Sequence, residues 1–170
     1  TQKKVVVVGY GSIGKRHSEI LNSLNEISEV YVLSHQNIEI PYKTINEVEE
    51  INGINPEYIV VASNTRSHFE QLCYIENNFI GKTVLVEKPL FDRFYEFTVK
   101  KNIVLVGYNL RFHPIIQLIK EKVYSRKLWN INIFCGSYLP DWRSGSDYRE
   151  SSSARKDSAG GVLLDLSHEL

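Results

Sequence analysis

Methionine is absent from the 170 residues, even at the first position, and cysteine and tryptophan occur only twice each. Cys73 and Cys135 lie far apart, with no ligand-type spacing around them. That excludes a disulfide framework and a cysteine-built metal site, so no metal is expected, and it predicts buried thiols in a reducing compartment. Net charge is also missing, since 20 basic side chains balance 20 acidic ones. A neutral chain has no electrostatic footprint for nucleic acid or for an anionic membrane. No apolar run is long enough to span a bilayer, and no secretory-type segment is present, so a cytoplasmic protein is expected. Internal repeats and low-complexity tracts are lacking too. What remains is an ordinary globular composition, 42% hydrophobic and 24% charged, enough for one domain and part of a second.

The most informative stretch is the run from Lys4 to Gly14. Four consecutive valines, Val5 to Val8, predict a buried strand, and they lead directly into Gly9-x-Gly11-x-x-Gly14. A helical period (Ile13, Ile20, Leu21, Leu24) begins inside the motif. Strand, glycine turn and helix in that order are what a dinucleotide requires. Gly9 permits the sharp turn, Gly11 lets backbone approach a pyrophosphate, and Gly14 lets helix and strand pack closely. Ser12 and Ile13 stand on the first turn of the helix, whose free N–H groups and partial positive charge face the phosphates.

Apolar strands then alternate with helix-length segments. Strands are expected at residues 29–33, 58–62, 83–86 and 103–107. Thr44-x-x-Glu47 reads as a capping box opening a short helix that Gly53 stops. Helices are also expected from Ser67 to Asn77 and from Arg93 to Lys101. This alternation predicts an α/β fold, a Rossmann-type doubly wound parallel sheet covered on both faces. Near Tyr108 the pattern changes. His113-Pro114 can start a helix with an apolar face, and residues 129–134 alternate with the period of a half-buried strand. The polar segment from Pro140 to Ala159 is long enough to be functional or disordered. Residues 1–110 thus read as a dinucleotide-binding domain and 111–170 as the beginning of a second domain. The apolar run Val162 to Leu170 reaches the last residue, and domain boundaries rarely fall inside such a run. The sequence therefore reads as continuing beyond Leu170.

Ligands of open α/β sheets bind beyond the carboxyl ends of the strands, so the polar residues there are the candidates. Ser34 and His35 follow the second strand where an NAD site places an acid against the ribose 2′-OH. With no acid there, either NAD or NADP fits, and the balance tilts to NADP. Ser63, Asn64 and Thr65 can bond a ribose or nicotinamide, or simply cap a helix. His68 is a candidate cofactor contact or an ordinary first-turn histidine. In Glu87-Lys88-Pro89, proline holds Lys88 extended and can adopt a cis bond. A lysine there can donate to a substrate oxygen and stabilise a developing alkoxide, or be a plain surface lysine. Asp165 and His168, three apart, share a face if helical, and an acid orienting an imidazole suits proton transfer near neutral pH.

Taken together, the chain resembles the glucose–fructose oxidoreductase and inositol dehydrogenase-like family (Gfo/Idh/MocA). The resemblance rests on Gly9-x-Gly11-x-x-Gly14, Ser63-Asn-Thr-x-x-His68, Glu87-Lys88-Pro89, Gly107-Tyr-Asn-Leu-Arg-Phe-His-Pro114 and Gly160-Gly161…Asp165…His168. It implies a Rossmann domain followed by an α/β domain with a mostly antiparallel sheet, which carries the substrate site and commonly a homo-oligomer interface. It implies hydride exchange between a nicotinamide cofactor and a secondary hydroxyl or ketone of a sugar or nucleotide sugar. Lys88 would meet the reacting hydroxyl, His168 would carry the proton and Asp165 would support it, with Glu87 also at the cofactor. The family often spaces that acid and histidine four apart, whereas here they are three apart. Asn109, Arg111, Trp142, Arg143, Tyr148 and Arg155 are the candidate substrate contacts, through stacking and charge recognition of a sugar acid or phosphate. The alternative is a non-catalytic dinucleotide-binding sensor or partner subunit, which would have no use for Lys88 and His168 together.

Overall fold

Val5, Val6, Val7 and Val8 are all fully buried, and successive valines enter opposite hydrophobic layers. Val6 and Val8 pack with Ile59, Val61, Leu72 and Ile75. Val5 and Val7 pack with Leu21, Val30, Val32 and Val60. A strand with both faces buried must be apolar throughout, because side chains alternate between faces. Each valine contributes roughly 1.5–3 kcal/mol through burial. In the computed structural model, residues 2–134, 147–150, 154–155 and 160–161 are described. The chain divides into two compact units, Thr1–Gly107 and Tyr108–Leu170.

The first unit is a six-stranded sheet made of β1 (Lys3–Val8), β2 (Ile27–Leu33), β3 (Lys43–Ile45), β4 (Tyr58–Val61), β5 (Thr83–Val86) and β6 (Ile103–Val106). Its spatial order is β3-β2-β1-β4-β5-β6, with every neighbouring pair parallel. This is the doubly wound order, with the switch of direction between β1 and β4. Helices α1 (Ser12–Asn22), α2 (Ile51–Ile54) and α3 (Thr65–Asn78) join strands. Leu21 of α1 sits in one layer and Leu72 and Ile75 of α3 in the other, so the sheet is covered on both faces.

Four sequence expectations fail in this unit. Residues 93–101 are not helical. Phe91, Tyr95 and Phe97 instead wrap Phe69 of α3, with the Phe69 and Tyr95 rings stacked at 3.9 Å. The segment ends on the carboxylate of Glu76, which accepts the N–H groups of Lys100 and Lys101 at 2.7 and 2.6 Å. Aromatic contacts to a distant helix and this anchor outweigh a modest helix propensity. Thr44 opens no helix but lies in edge strand β3, paired with Val32. The box forms three residues later, where the N–H of Glu47 donates to the Glu50 side chain at 2.9 Å. The helix then stops at Asn55, in the left-handed region with φ 50°, rather than at Gly53. Cys73, expected to be buried, is half-buried, and burial pushes its thiol above the ordinary value. Cys135 lies outside the described residues.

Within the second unit, a 3₁₀ turn (Asn109–Phe112) precedes α4 (Pro114–Val123). The His113 ring accepts the N–H of Ile115 at 3.2 Å as the helix cap, and Pro114 occupies the first turn, as expected. The apolar face of α4 is exposed at Ile115, Ile116, Leu118 and Ile119. Residues 129–134 form no strand, and Trp129 and Phe134 are exposed. Alternation supplies one face of a strand, but its backbone needs a neighbouring ladder, and no partner strand lies beside it among the described residues. No helix among the described residues is long and apolar enough to cross a membrane.

Candidate functional site

Three loops at the carboxyl end of the sheet come together around the switch point. The first is the glycine loop after β1. Gly9 has φ +95°, and a Cβ there would stand 2.7 Å from the carbonyl oxygen of Ala62. A Cβ on Gly14 would stand 2.1 Å from the carbonyl oxygen of Gly9. Both positions are therefore closed to any side chain. Gly11 differs, since nothing lies within 4 Å of its Cβ position. The open space at Gly11, beside the first turn of α1 with exposed Ser12 and Ile13, fits a pyrophosphate approaching bare backbone.

The second loop follows β4. The Ser63 hydroxyl donates to the Gln71 side chain at 2.6 Å. Asn64 caps α3 by accepting the N–H of Arg66 at 3.1 Å, and Thr65 is half-buried on the first turn. The third follows β5. Glu87 and Lys88 are half-buried, and the Lys88–Pro89 peptide is cis. The Nε2–H of His17 donates to Glu87 Oε1 at 2.7 Å, and the Lys88 N–H donates to Glu87 Oε2 at 3.3 Å. A Cβ on Gly107 would press on this carboxylate at 3.2–3.3 Å, so a side chain there would require it to shift by a few tenths of an ångström. One oxygen of the Glu87 carboxylate is thus held to α1 through His17.

His68 joins the second and third loops. It is buried, at 1% exposure. Its Nε2 lies 3.2 Å from the Ser63 carbonyl, and Nδ1 lies 3.2 Å from those of Pro89 and Leu90. All three partners are acceptors, while a neutral imidazole donates from one nitrogen only. Burial lowers its pKa below the ordinary value, and the bonds to Ser63, Leu90 and Pro89 oppose that without reversing it.

Ser34 and His35 follow β2 beside the glycine loop, where the Gly9 N–H donates to the Leu33 carbonyl at 2.9 Å. Beyond them, a cavity of about 610 Å³ opens between the glycine loop and residues 36–42. Lys15, Glu19 and Glu39 line it; the sequence reading used none of them. It also missed His17, whose signal was its place one helical turn beyond Gly14.

The profile of an oxidoreductase family with an NAD-binding Rossmann fold, Gfo/Idh/MocA, matches residues 3–108. The chain belongs to the Gfo/Idh/MocA family. Solved structures share the fold. An NAD-binding protein from Listeria innocua superposes with a TM-score of 0.63 at 20% identity, over 98% of this chain and 52% of that one. Myo-inositol 2-dehydrogenase from Lactobacillus plantarum gives 0.61 at 22% identity, over 73% and 41%. The WlbA dehydrogenase from Bordetella pertussis, in complex with NADH and UDP-GlcNAcA, gives 0.58 at 16% identity, over 73% and 42%. The chain thus spans about half or less of these proteins' length. No curated protein matches it.

The remaining Gfo/Idh/MocA candidates lie in the second unit. Asn109 and Arg111 are exposed on the 3₁₀ turn, with the Arg111 guanidinium 5.6 Å from the Phe112 ring centroid. The backbone of Tyr148 lies in the turn Tyr148–Glu150. Beside it, Arg149 grips Asp147 through both carboxylate oxygens and holds that carboxyl below its usual range. Arg155 is exposed. Trp142, Arg143, Asp165 and His168 fall outside the described residues.

Proposed function

We propose that the chain carries the cofactor domain and the catalytic lysine of an NAD(P)-dependent oxidoreductase. Its substrate would be a secondary hydroxyl or ketone of a sugar or nucleotide-sugar derivative. The observation that carries this reading is Lys88 at the end of β5, with its neighbours fixed on both sides. Glu87 before it is tied to α1, and the carbonyl of Pro89 after it faces buried His68. A bound nicotinamide would supply the hydride acceptor or donor. Gly11 and the first turn of α1 would hold the pyrophosphate, and Ser63 to Thr65 would border the nicotinamide side. The Lys88 ammonium would donate to the substrate oxygen and stabilise negative charge growing there.

His168 would accept or return the hydroxyl proton, oriented by Asp165. Asn109, Arg111, Trp142, Arg143, Tyr148 and Arg155 would recognise the sugar, and the second unit would carry a homo-oligomer contact. A sugar-type substrate is supported by the inositol and UDP-sugar dehydrogenases that share the fold.

The test is a thermal-shift panel of NADH, NADPH, inositols and UDP-sugars on the full chain, followed by turnover of whichever sugar shifts it. Lys88→Ala is expected to cut turnover at least a hundredfold while NADH affinity holds within about threefold. Full turnover in Lys88→Ala would remove the lysine's role. Dinucleotide binding with no hydride transfer to any sugar would favour a sensor instead.

A further inference from the structure

The adenosine end of the dinucleotide is where this site departs from expectation. The Ser34 hydroxyl accepts the N–H of Gln36 at 3.2 Å, and the Ser34 N–H donates to the Ile45 carbonyl at 3.3 Å. Ser34 is thereby used in turning the chain, and the turn brings residues 36–42 opposite the glycine loop. The cavity between them, about 610 Å³, falls within the ~300–1,000 Å³ of small-molecule and cofactor sites. Tyr10, almost fully buried, makes an edge contact with Tyr42 at 6.3 Å, and both line the cavity.

Charge in this cavity is unevenly spread. Lys15 directly follows Gly14 and belongs to the first turn of α1, the end suited to a pyrophosphate. Glu19 and Glu39 supply two carboxylates against that one ammonium. Glu39 sits in the loop after β2, five positions beyond Ser34, and lines the cavity together with Gly11 and Ser12. A ribose 2′-OH can donate to a carboxylate, whereas a 2′-phosphate brings close to two negative charges near neutral pH and only acceptor oxygens. His35 is exposed but does not line the cavity.

We infer that Glu39 makes this site select NAD over NADP. Its carboxylate takes the part usually played by an acid at the end of the second strand, displaced along the loop because Ser34 holds the turn. The preference is then opposite to the one that Ser34 and His35 suggest when read alone. This rests on the dinucleotide-binding reading above.

The experiment is titration of the full chain with NADH and, separately, NADPH, followed by nicotinamide fluorescence. The wild type is expected to bind NADH at least tenfold more tightly. Glu39→Gln should narrow the ratio to about threefold, and Glu39→Lys should bring NADPH to parity or better, with unchanged melting temperature because the residue is exposed. Equal or tighter NADPH binding by the wild type overturns the inference, as does an unaltered ratio in both variants. Binding of neither dinucleotide overturns the underlying reading and the inference with it.

Discussion

His17 and Glu87 lie seventy positions apart and share a 2.7 Å hydrogen bond. It ties the helix that opens on the glycine loop to the strand end that presents Lys88. Both side chains are largely withdrawn from solvent, at 21% and 14% exposure. The tie therefore works in a medium where an abandoned carboxylate is expensive.

Removing that tie should be measurable. His17→Ala is expected to lower unfolding free energy by about 1–3 kcal/mol, read from urea denaturation. Glu87→Gln, which keeps an acceptor, should cost less. The double variant should fall short of the sum, since contacting residues couple. Strict additivity would mean that the bond is not formed in solution.

The three motif glycines should separate into two kinds. Gly14→Ala places a methyl against the Gly9 carbonyl and is expected to cost ~3 kcal/mol, seen as a lower melting temperature. Gly11→Ala meets open space, so its melting temperature should hold. Its NADH affinity should fall at least tenfold, as the methyl intrudes where backbone would meet pyrophosphate. Intact affinity in Gly11→Ala would contradict that placement.

His68 should give the fold an acid-side weakness. Its folded pKa lies below the ordinary 6.5, so the unfolded chain binds its proton more readily. Stability from this residue is complete above about pH 6.5 and declines as pH falls below it towards the lowered native value. The slope is at most ~1.4 kcal/mol per pH unit. Thermal melts from pH 7.5 to 5.5 should show it in the wild type and not in His68→Gln. An identical slope in both would assign it elsewhere.

Glu76 should act in a lower window. At 8% exposure, burial alone would raise its carboxyl. The Asn102 amide, the N–H groups of Lys100 and Lys101 and the Lys101 charge outweigh that and hold it below the ordinary 4.5. Its stabilisation is present above about pH 4.5 and is lost as pH falls through the lowered value. Glu76→Ala leaves those N–H groups without their acceptor and should cost ~2–3 kcal/mol in denaturant titration at pH 7. It should also loosen residues 91–102, read by amide hydrogen exchange.

Much of the sheet was legible because parallel strands buried on both faces must be written as continuous apolar runs, and Val5 to Val8 and Tyr58 to Val61 are such runs. The glycine loop was legible because Gly9 and Gly14 answer to backbone sterics, which depend on local geometry. Residues 93–101 were not, since Phe91 and Tyr95 fit a helical spacing equally well. Their actual partner, Phe69, lies on α3, and no local pattern encodes it. Thr44 shows the same limit: its capping pattern lost to backbone pairing with β2. His68 read as a first-turn histidine near a ligand, because sequence cannot show that three carbonyls from two other segments enclose it.

Residue types and their order alone determined the α/β class, the place where a dinucleotide would lie, and the presence of Lys88 at a strand end. These follow from hydrophobic period and from glycine's missing side chain, which are properties of short stretches. Only the tertiary structure decided that Glu87 bonds to His17, that His68 holds loops together, and that Glu39 lines the cavity beside the glycine loop. Each of those is a contact between segments far apart in the chain. Which polar group meets which is settled by packing, after local preferences have been satisfied or overridden.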